Sequence, residues 1–136
     1  MPKMVLLAEY LSINANVLNT FTRKAELTVE VEDKDVTNYA SLGWKEVIGG
    51  LKSAELGCEF LQDFATTQLD AIMWPLLGTV VPFEVRADQA AVGVSNPKYT
   101  GNILINGWNP LTGSVGDEAT VSLGFPTSGA VTRATS

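Results

Sequence analysis

Residues 26–36 read "ELTVEVEDKDV", in which apolar Leu27, Val29 and Val31 alternate with acidic Glu30 and Glu32. A period of two sends successive side chains to opposite faces of a strand, so this stretch is predicted to be a β-strand with one packed face and one charged, solvated face. On that assignment Val29→Asp would bury a charge and prevent folding, whereas Glu30→Lys would leave folding intact. The same alternation returns in four more places: Ala54, Leu56, Cys58 and Phe60 in "SAELGCEF"; Val81, Phe83, Val85 and Ala87 in "VVPFEVRA"; Ile103 and Ile105 in "NILING"; and Ala119, Val121, Leu123 and Phe125 in "DEATVSLGF". In these runs the glutamates Glu59, Glu84 and Glu118 fall on the face away from the apolar set.

Turn signals separate these runs: "DKDVTNYASLG", the pair Gly49 and Gly50, "SNPKYTG" and "NPLTGSVG". Short half-buried strands at this spacing imply a mainly β chain, an antiparallel two-sheet sandwich or barrel. One segment departs from the period. In "DFATTQLDAIMWPLLG" the residues Leu69, Ile72, Met73, Leu76 and Leu77 recur at helical spacing, so a single flanking α-helix is expected. Asp63 or Thr66 would cap it, Pro75 would kink its last turn and Gly78 would end it, with Met73 and Trp74 in the core. Trp108, near a strand end, fits either a core or a subunit contact.

A chain of 136 residues with 46% hydrophobic content suits one domain spanning 1–136. Its ends carry no sustained apolar pattern, so a flexible N-terminal segment (about 1–9) and a C-terminal arm (about 126–136), ordered only by a neighbour, are expected. A net charge of −6 opposes tight nucleic-acid binding. No apolar run reaches the roughly 18–20 residues of a membrane span, and Glu9 breaks the N-terminal "MVLLAEYLSI", so neither a span nor a signal peptide is expected. The one cysteine, Cys58, allows no internal disulfide, and its place in an apolar set makes it a core residue with a slow thiol.

Without a histidine, neither a Ser-His-Asp nor a Cys-His centre can be built, and the phosphate-cradling glycine motifs are missing. Glu30, Glu59 and Glu84 are the carboxylates from which an acid and nucleophile pair could be drawn, but the three tryptophans do not share their faces. Asp33 and Asp35 have calcium-loop spacing, yet Asn38 stands where such a loop needs glycine, so a turn solvating its own backbone is the better reading. No catalysis, cofactor or metal is expected.

The order of pieces then carries a resemblance. "VTNYASLGWKEVIGGL", "SNPKYTG" and "GSVGDEATVSLGFPTSGAVTR", taken in sequence over about residues 10–135, resemble the major tail (tail tube) proteins of long-tailed bacteriophages. The resemblance implies hexameric rings, built by edge strands joining into a continuous barrel, that stack head to tail into a hollow tube. DNA would pass through without specific binding. A tape-measure protein and tail initiator and terminator proteins would be partners, there would be no membrane, and the virion tail would be assembled in the host cytoplasm. It also implies that acids repeated around a ring line the bore, with Glu30, Glu32, Glu59, Glu84 and Glu118 as candidates. The sequence does not distinguish the two sheets, so only some of the five belong there. Contacts between rings would come from loops at Asp33 to Gly43 and Gln89 to Thr100, through Asp33, Asp35, Asn38, Tyr39, Asn96 and Tyr99, and from Arg133 in the C-terminal arm. The alternative is a monomeric β-sandwich binding module for carbohydrate or a host receptor, which should show a compact exposed aromatic cluster.

Overall fold

The computed structural model describes residues 3–136. Residues 1 and 2 of the expected N-terminal segment lie outside the described residues. The protein is mainly β, with two antiparallel sheets and one short helix. The larger sheet has five strands in the order β2 (Asn16–Val17), β1 (Tyr10–Ile13), β5 (Val80–Arg86), β6 (Lys98–Leu104), β8 (Thr132–Ala134). The smaller has three, in the order β3 (Thr22–Asp35), β4 (Val47–Leu61), β7 (Thr120–Pro126).

The core lies between them. Leu11, Ile13, Val81, Phe83, Val85 and Ile103 from the larger sheet meet Leu56, Cys58, Phe60, Val121 and Phe125 from the smaller in one buried cluster. The alternation behind these strands is therefore real. It selects inward residues on β4, β5 and β7 wherever the opposite sheet is present.

That condition fails for half of the opening strand. β7 pairs with β4 only from Glu55 to Leu61, so Val47–Ala54 and the β3 residues opposite them run past the sandwich as a two-stranded arm. Leu27 packs against the core, but Val29 and Val31 are 55% and 48% exposed. The expected packed position of Val29 is thereby corrected, and with it the expectation that Val29→Asp prevents folding. Asp33 and Asp35 belong to the end of β3, not to a turn, and Gly49 and Gly50 lie inside β4. Both glycines sit where β3 crowds them: a Cβ on Gly49 would meet a Val31 methyl at 3.1 Å, and one on Gly50 the Lys34 side chain at 3.1 Å. Close approach across the arm, with a register shift between Val31 and Asp33, accounts for glycine there.

The helical segment is shorter than its stripe. α1 spans Leu69–Met73 and passes into a 3-10 turn at Trp74–Leu76 that contains Pro75. Neither Asp63 nor Thr66 caps it; Gln68 holds that position without a side-chain bond, and Asp63 Oδ1 instead accepts the Ala65 N–H upstream. Leu69 and Met73 are fully buried, while Trp74, expected in the core, is 58% exposed. Gly78, at φ +85°, turns the chain out of the 3-10 turn towards β5, a backbone angle suited to glycine.

The β1–β2 hairpin carries no clear signal, and β6 only a partial one. β1 and β2 form a hairpin whose two-residue loop, Asn14 and Ala15, has φ of +53° and +64°, the shape that Asn-Gly normally supplies. β6 starts at Lys98, inside the stretch expected to be loop, because its inward set reads Tyr99, Gly101, Ile103. Gly101 leaves room for the Phe83 ring, which a Cβ would approach to 3.1 Å. Tyr99 is thus a strand residue packed on the core, not a loop residue. At the C-terminus, β8 pairs with β6 and Val131 packs against the core, so this chain itself orders the arm.

Candidate channel wall and assembly surfaces

On β3, Lys24, Glu26, Thr28 and Glu30 face away from the core. Their register partners on β4 are Glu59, Gly57, Glu55 and Ser53, and these continue to Ser122, Gly124 and Pro126 on β7. The outward face of the three-stranded sheet, together with the Glu30–Ser53 pair where the arm begins, therefore holds four carboxylates, Glu26, Glu30, Glu55 and Glu59, against one base, Lys24, which sits 3.6 Å from Glu26. The face is low in relief. It carries two shallow depressions of about 390 and 270 Å³, which meet at Glu26, Glu55 and Gly57, where the Glu55 side chain lies over Gly124.

The other candidate acids are elsewhere. Glu84 lies on the outward side of the five-stranded sheet, in register with Ser12 and Thr100. Arg86 Nε is 3.0 Å from its Oε2, and the same guanidinium stacks 3.8 Å above the Tyr10 ring. With Lys98 in register with Arg86, this side shows one acid to two bases. Glu32 sits on the arm beside Lys34, with which it forms an ion pair. Glu118 precedes β7 in a loop, where hydrogen bonding from its own backbone N–H and then from Arg23, 2.7 Å away, holds its carboxyl below the usual range. Sequence reasoning missed Glu26 and Glu55. Both share the parity of Glu30 and Glu59, so continuing the period by two steps along each strand finds them.

These positions also decide the acid and nucleophile pair. Glu59 stands opposite Lys24 and Glu30 opposite Ser53, an offset of six residues along the hairpin. At about 3.3 Å per residue that is roughly 20 Å, against the roughly 5–9.5 Å that glycoside hydrolysis uses. Glu84 faces the opposite side of the molecule. Among the described residues, no group of three or more Cys, Asp or Glu is placed to hold a metal ion.

The expected ring-contact residues divide by role. Asp35 Oδ1 accepts the Thr37 N–H at 2.8 Å, and bonds from the Thr37 hydroxyl and then its N–H hold this carboxyl below its ordinary range. Asn38 caps the 3-10 turn Tyr39–Ser41 through a reciprocal bond with Ser41, which presents the Tyr39 ring to solvent at full exposure. Asn96 ties its own loop together: its amide donates to the Asp88 and Ala90 carbonyls and its Oδ1 accepts the Asp88 N–H. Arg133 is exposed on β8, opposite Tyr99.

Exposed large hydrophobics are concentrated at three places, one of them the N-terminal run Met4–Leu7. Among the described residues, nine lie on the arm between Val29 and Leu51, and eight fall between Leu61 and Val115. The arm set includes Tyr39, Leu42, Trp44, Ile48 and Leu51; the other includes Phe64, Trp74, Leu77 and Leu111. Trp108, by contrast, packs on Phe60 and donates its indole N–H to Asp70 at 3.0 Å, so it belongs to the core margin.

The sequence matches the family model described as phage tail tube protein over residues 14–133. The chain belongs to that family. As a tail tube protein it is a structural subunit of the tube and a component of the virion tail. Two solved structures share the fold. A chain of the virion of a native gene transfer agent particle is 21% identical with a TM-score of 0.72, covering 92% of this chain and 94% of that one. A chain of the tail of an empty gene transfer agent particle, computed with helical refinement in C6 symmetry, is 23% identical with a TM-score of 0.69, covering 93% of each. No curated protein matches the sequence.

Proposed function

We propose that this tail tube protein forms hexameric rings, that the rings stack head to tail into a hollow tube, and that the outward face of the three-stranded sheet lines a bore through which DNA passes. The observation that carries the reading is the charge division between the two outward faces, four acids to one base on the smaller sheet against one acid to two bases on the larger. Duplex DNA carries one negative charge per roughly 1.7 Å, so a basic wall would grip it and an acidic wall would let it move. The carboxylates sit in solvent, where their mutual repulsion costs folding little.

Sheet edges support the same choice. The larger sheet ends in strands of two and three residues, while the smaller ends in β3, fourteen residues long, and β7, seven. A long edge pairs readily with another chain. β3 and β7 both run antiparallel to β4, so joining β7 of one copy to β3 of the next is a parallel contact that repeats in one rotational sense and closes as a ring. The sixfold symmetry of the gene transfer agent tail supports a ring of six. No catalysis is assigned, and the tape-measure, initiator and terminator proteins are its assembly partners.

Negative-stain electron microscopy of concentrated protein, with mass photometry on the same sample, tests this. Hollow filaments or sixfold rings are expected. Monomers at every concentration, even with tail initiator and tape-measure proteins supplied, would contradict it.

A further inference from the structure

Residues 4–7 are 56–88% exposed, yet the N-terminal run does not stand clear of the sandwich. Residues 6–9 wall a groove together with Arg23, Lys24 and Ala25 at the start of β3. Lys24 faces outward and Ala25 faces the core, so a groove that touches both runs along an edge of the strand. β4 occupies one edge, which leaves the free one. Leu6 also lines the gap between the sheets with Ala25, Leu27, Val85 and Tyr99. The fastening is light. One bridge joins Ala8 to Asp88, and Gln89 Nε2 donates to the Glu9 carbonyl at 3.3 Å. Among the described residues, no backbone hydrogen bond ties the segment to β3, so it covers that edge without pairing with it.

We propose that residues 4–9 are a strap over the start of the β3 edge, which competes with β7 of a neighbouring copy and slows ring closure until it is displaced, an inference that rests on the tube reading above. Through β4, residues 121–126 of β7 stand level with residues 22–28 of β3. A copy related by rotation about the ring axis therefore brings its β7 to the stretch of edge that the strap covers, within the stagger that strand tilt adds. Paired strands lie about 4.8 Å apart, which leaves no room for the strap between β3 and an incoming β7. The exchange favours the strand. A paired β7 supplies ladder hydrogen bonds along its length, whereas the strap offers the partial burial of Leu6, one bridge and one side-chain bond. Until then the strap blunts a long edge, which keeps single subunits from pairing in the wrong register.

The test follows ring formation by full-length protein with mass photometry, all variants being checked for folding by circular dichroism. Leu6→Ser keeps the backbone of the strap and removes the side chain that lines both grooves. Leu6 is 56% exposed, so it holds a little under half of a leucine's burial, and rings are expected to form roughly threefold to fivefold faster than from the parent under the same conditions. In a second arm, Leu7→Cys is combined with Lys24→Cys, and the two thiols are joined in monomers by a short, cleavable bis-maleimide. Cys58 is buried and stays silent. Linked monomers are expected to form no rings, and cleaving the linker is expected to restore the rate of the unlinked double variant. Rings from linked monomers at the unlinked rate, or a Leu6→Ser rate at or below the parent's, would overturn the strap and leave the tube reading standing. Failure of the unsubstituted protein to form any ring with initiator supplied would remove both.

Discussion

Phe60 is fully buried and its ring meets Trp108, so Phe60→Ala is expected to cost about 3–5 kcal/mol of unfolding free energy in a urea titration. Val29, two positions beyond the core-packed Leu27 in the same alternating run, is expected to accept Asp with a change below about 1 kcal/mol, because no second sheet covers it. Apolar positions of the two paired alternating strands thus have opposite consequences, decided by where β7 stops. Cys58 shows the buried extreme. Desolvation, with a smaller contribution from the Glu9 carboxylate, pushes its thiol from 9.0 up to about 12. The folded state holds this proton more tightly than the unfolded chain, so the stability it contributes is complete below pH 9 and is lost as pH rises from 9 towards 12. Thermal melts across that window should fall more steeply for the unsubstituted protein than for Cys58→Ala, and thiol labelling of the native protein at neutral pH should be slow. Parallel slopes, or fast stoichiometric labelling, would count against the buried thiol.

At the scale of elements, the arm is separable from the sandwich. Replacing Asn38–Lys45 with an Asn-Gly turn removes Tyr39, Leu42 and Trp44 but no core residue, since the Val36 N–H bond to Glu46 O closes the hairpin below it. The shortened protein is expected to melt within a few degrees of the parent and to form no tubes; a large loss of stability would show the arm to be part of the core. β4, β5 and β7 were legible because each alternates over a covered length. The β1–β2 hairpin was not, because its turn is Asn14-Ala15, where the positive φ is imposed by the strands on an alanine rather than announced by a glycine. β6 was legible only from Ile103 onward, its first inward positions being Tyr99 and a glycine that makes room for Phe83. The helix was foreseen by its stripe and overestimated in length, for Thr67 at φ +65° sits where the expected first turn would run.

For the whole molecule, the C-terminus and the charge faces matter most. Deleting Gly129–Ser136 removes β8 and the packing of Val131, so a loss on the order of 1–3 kcal/mol is expected even in the monomer, measured by urea unfolding. An unchanged midpoint would show that β8 contributes nothing outside the assembly. The acidic face of the smaller sheet was half legible. Parity alone yields the outward acids of each strand, but strand order is needed to learn that Glu30 and Glu59 share a face with Glu26 and Glu55 while Glu84 lies across the core. That sorting depends on pairings between residues far apart in the chain, which no local pattern records.

The most direct measurement is a helical reconstruction of assembled tubes by electron cryomicroscopy, resolved well enough to trace the strands. The outward face of the β3–β4–β7 sheet, with Glu26, Glu30, Glu55 and Glu59, is expected at the bore, and the five-stranded sheet at larger radius. A bore lined instead by the side of the five-stranded sheet that carries Glu84, Arg86 and Lys98 would contradict the assignment of the channel wall.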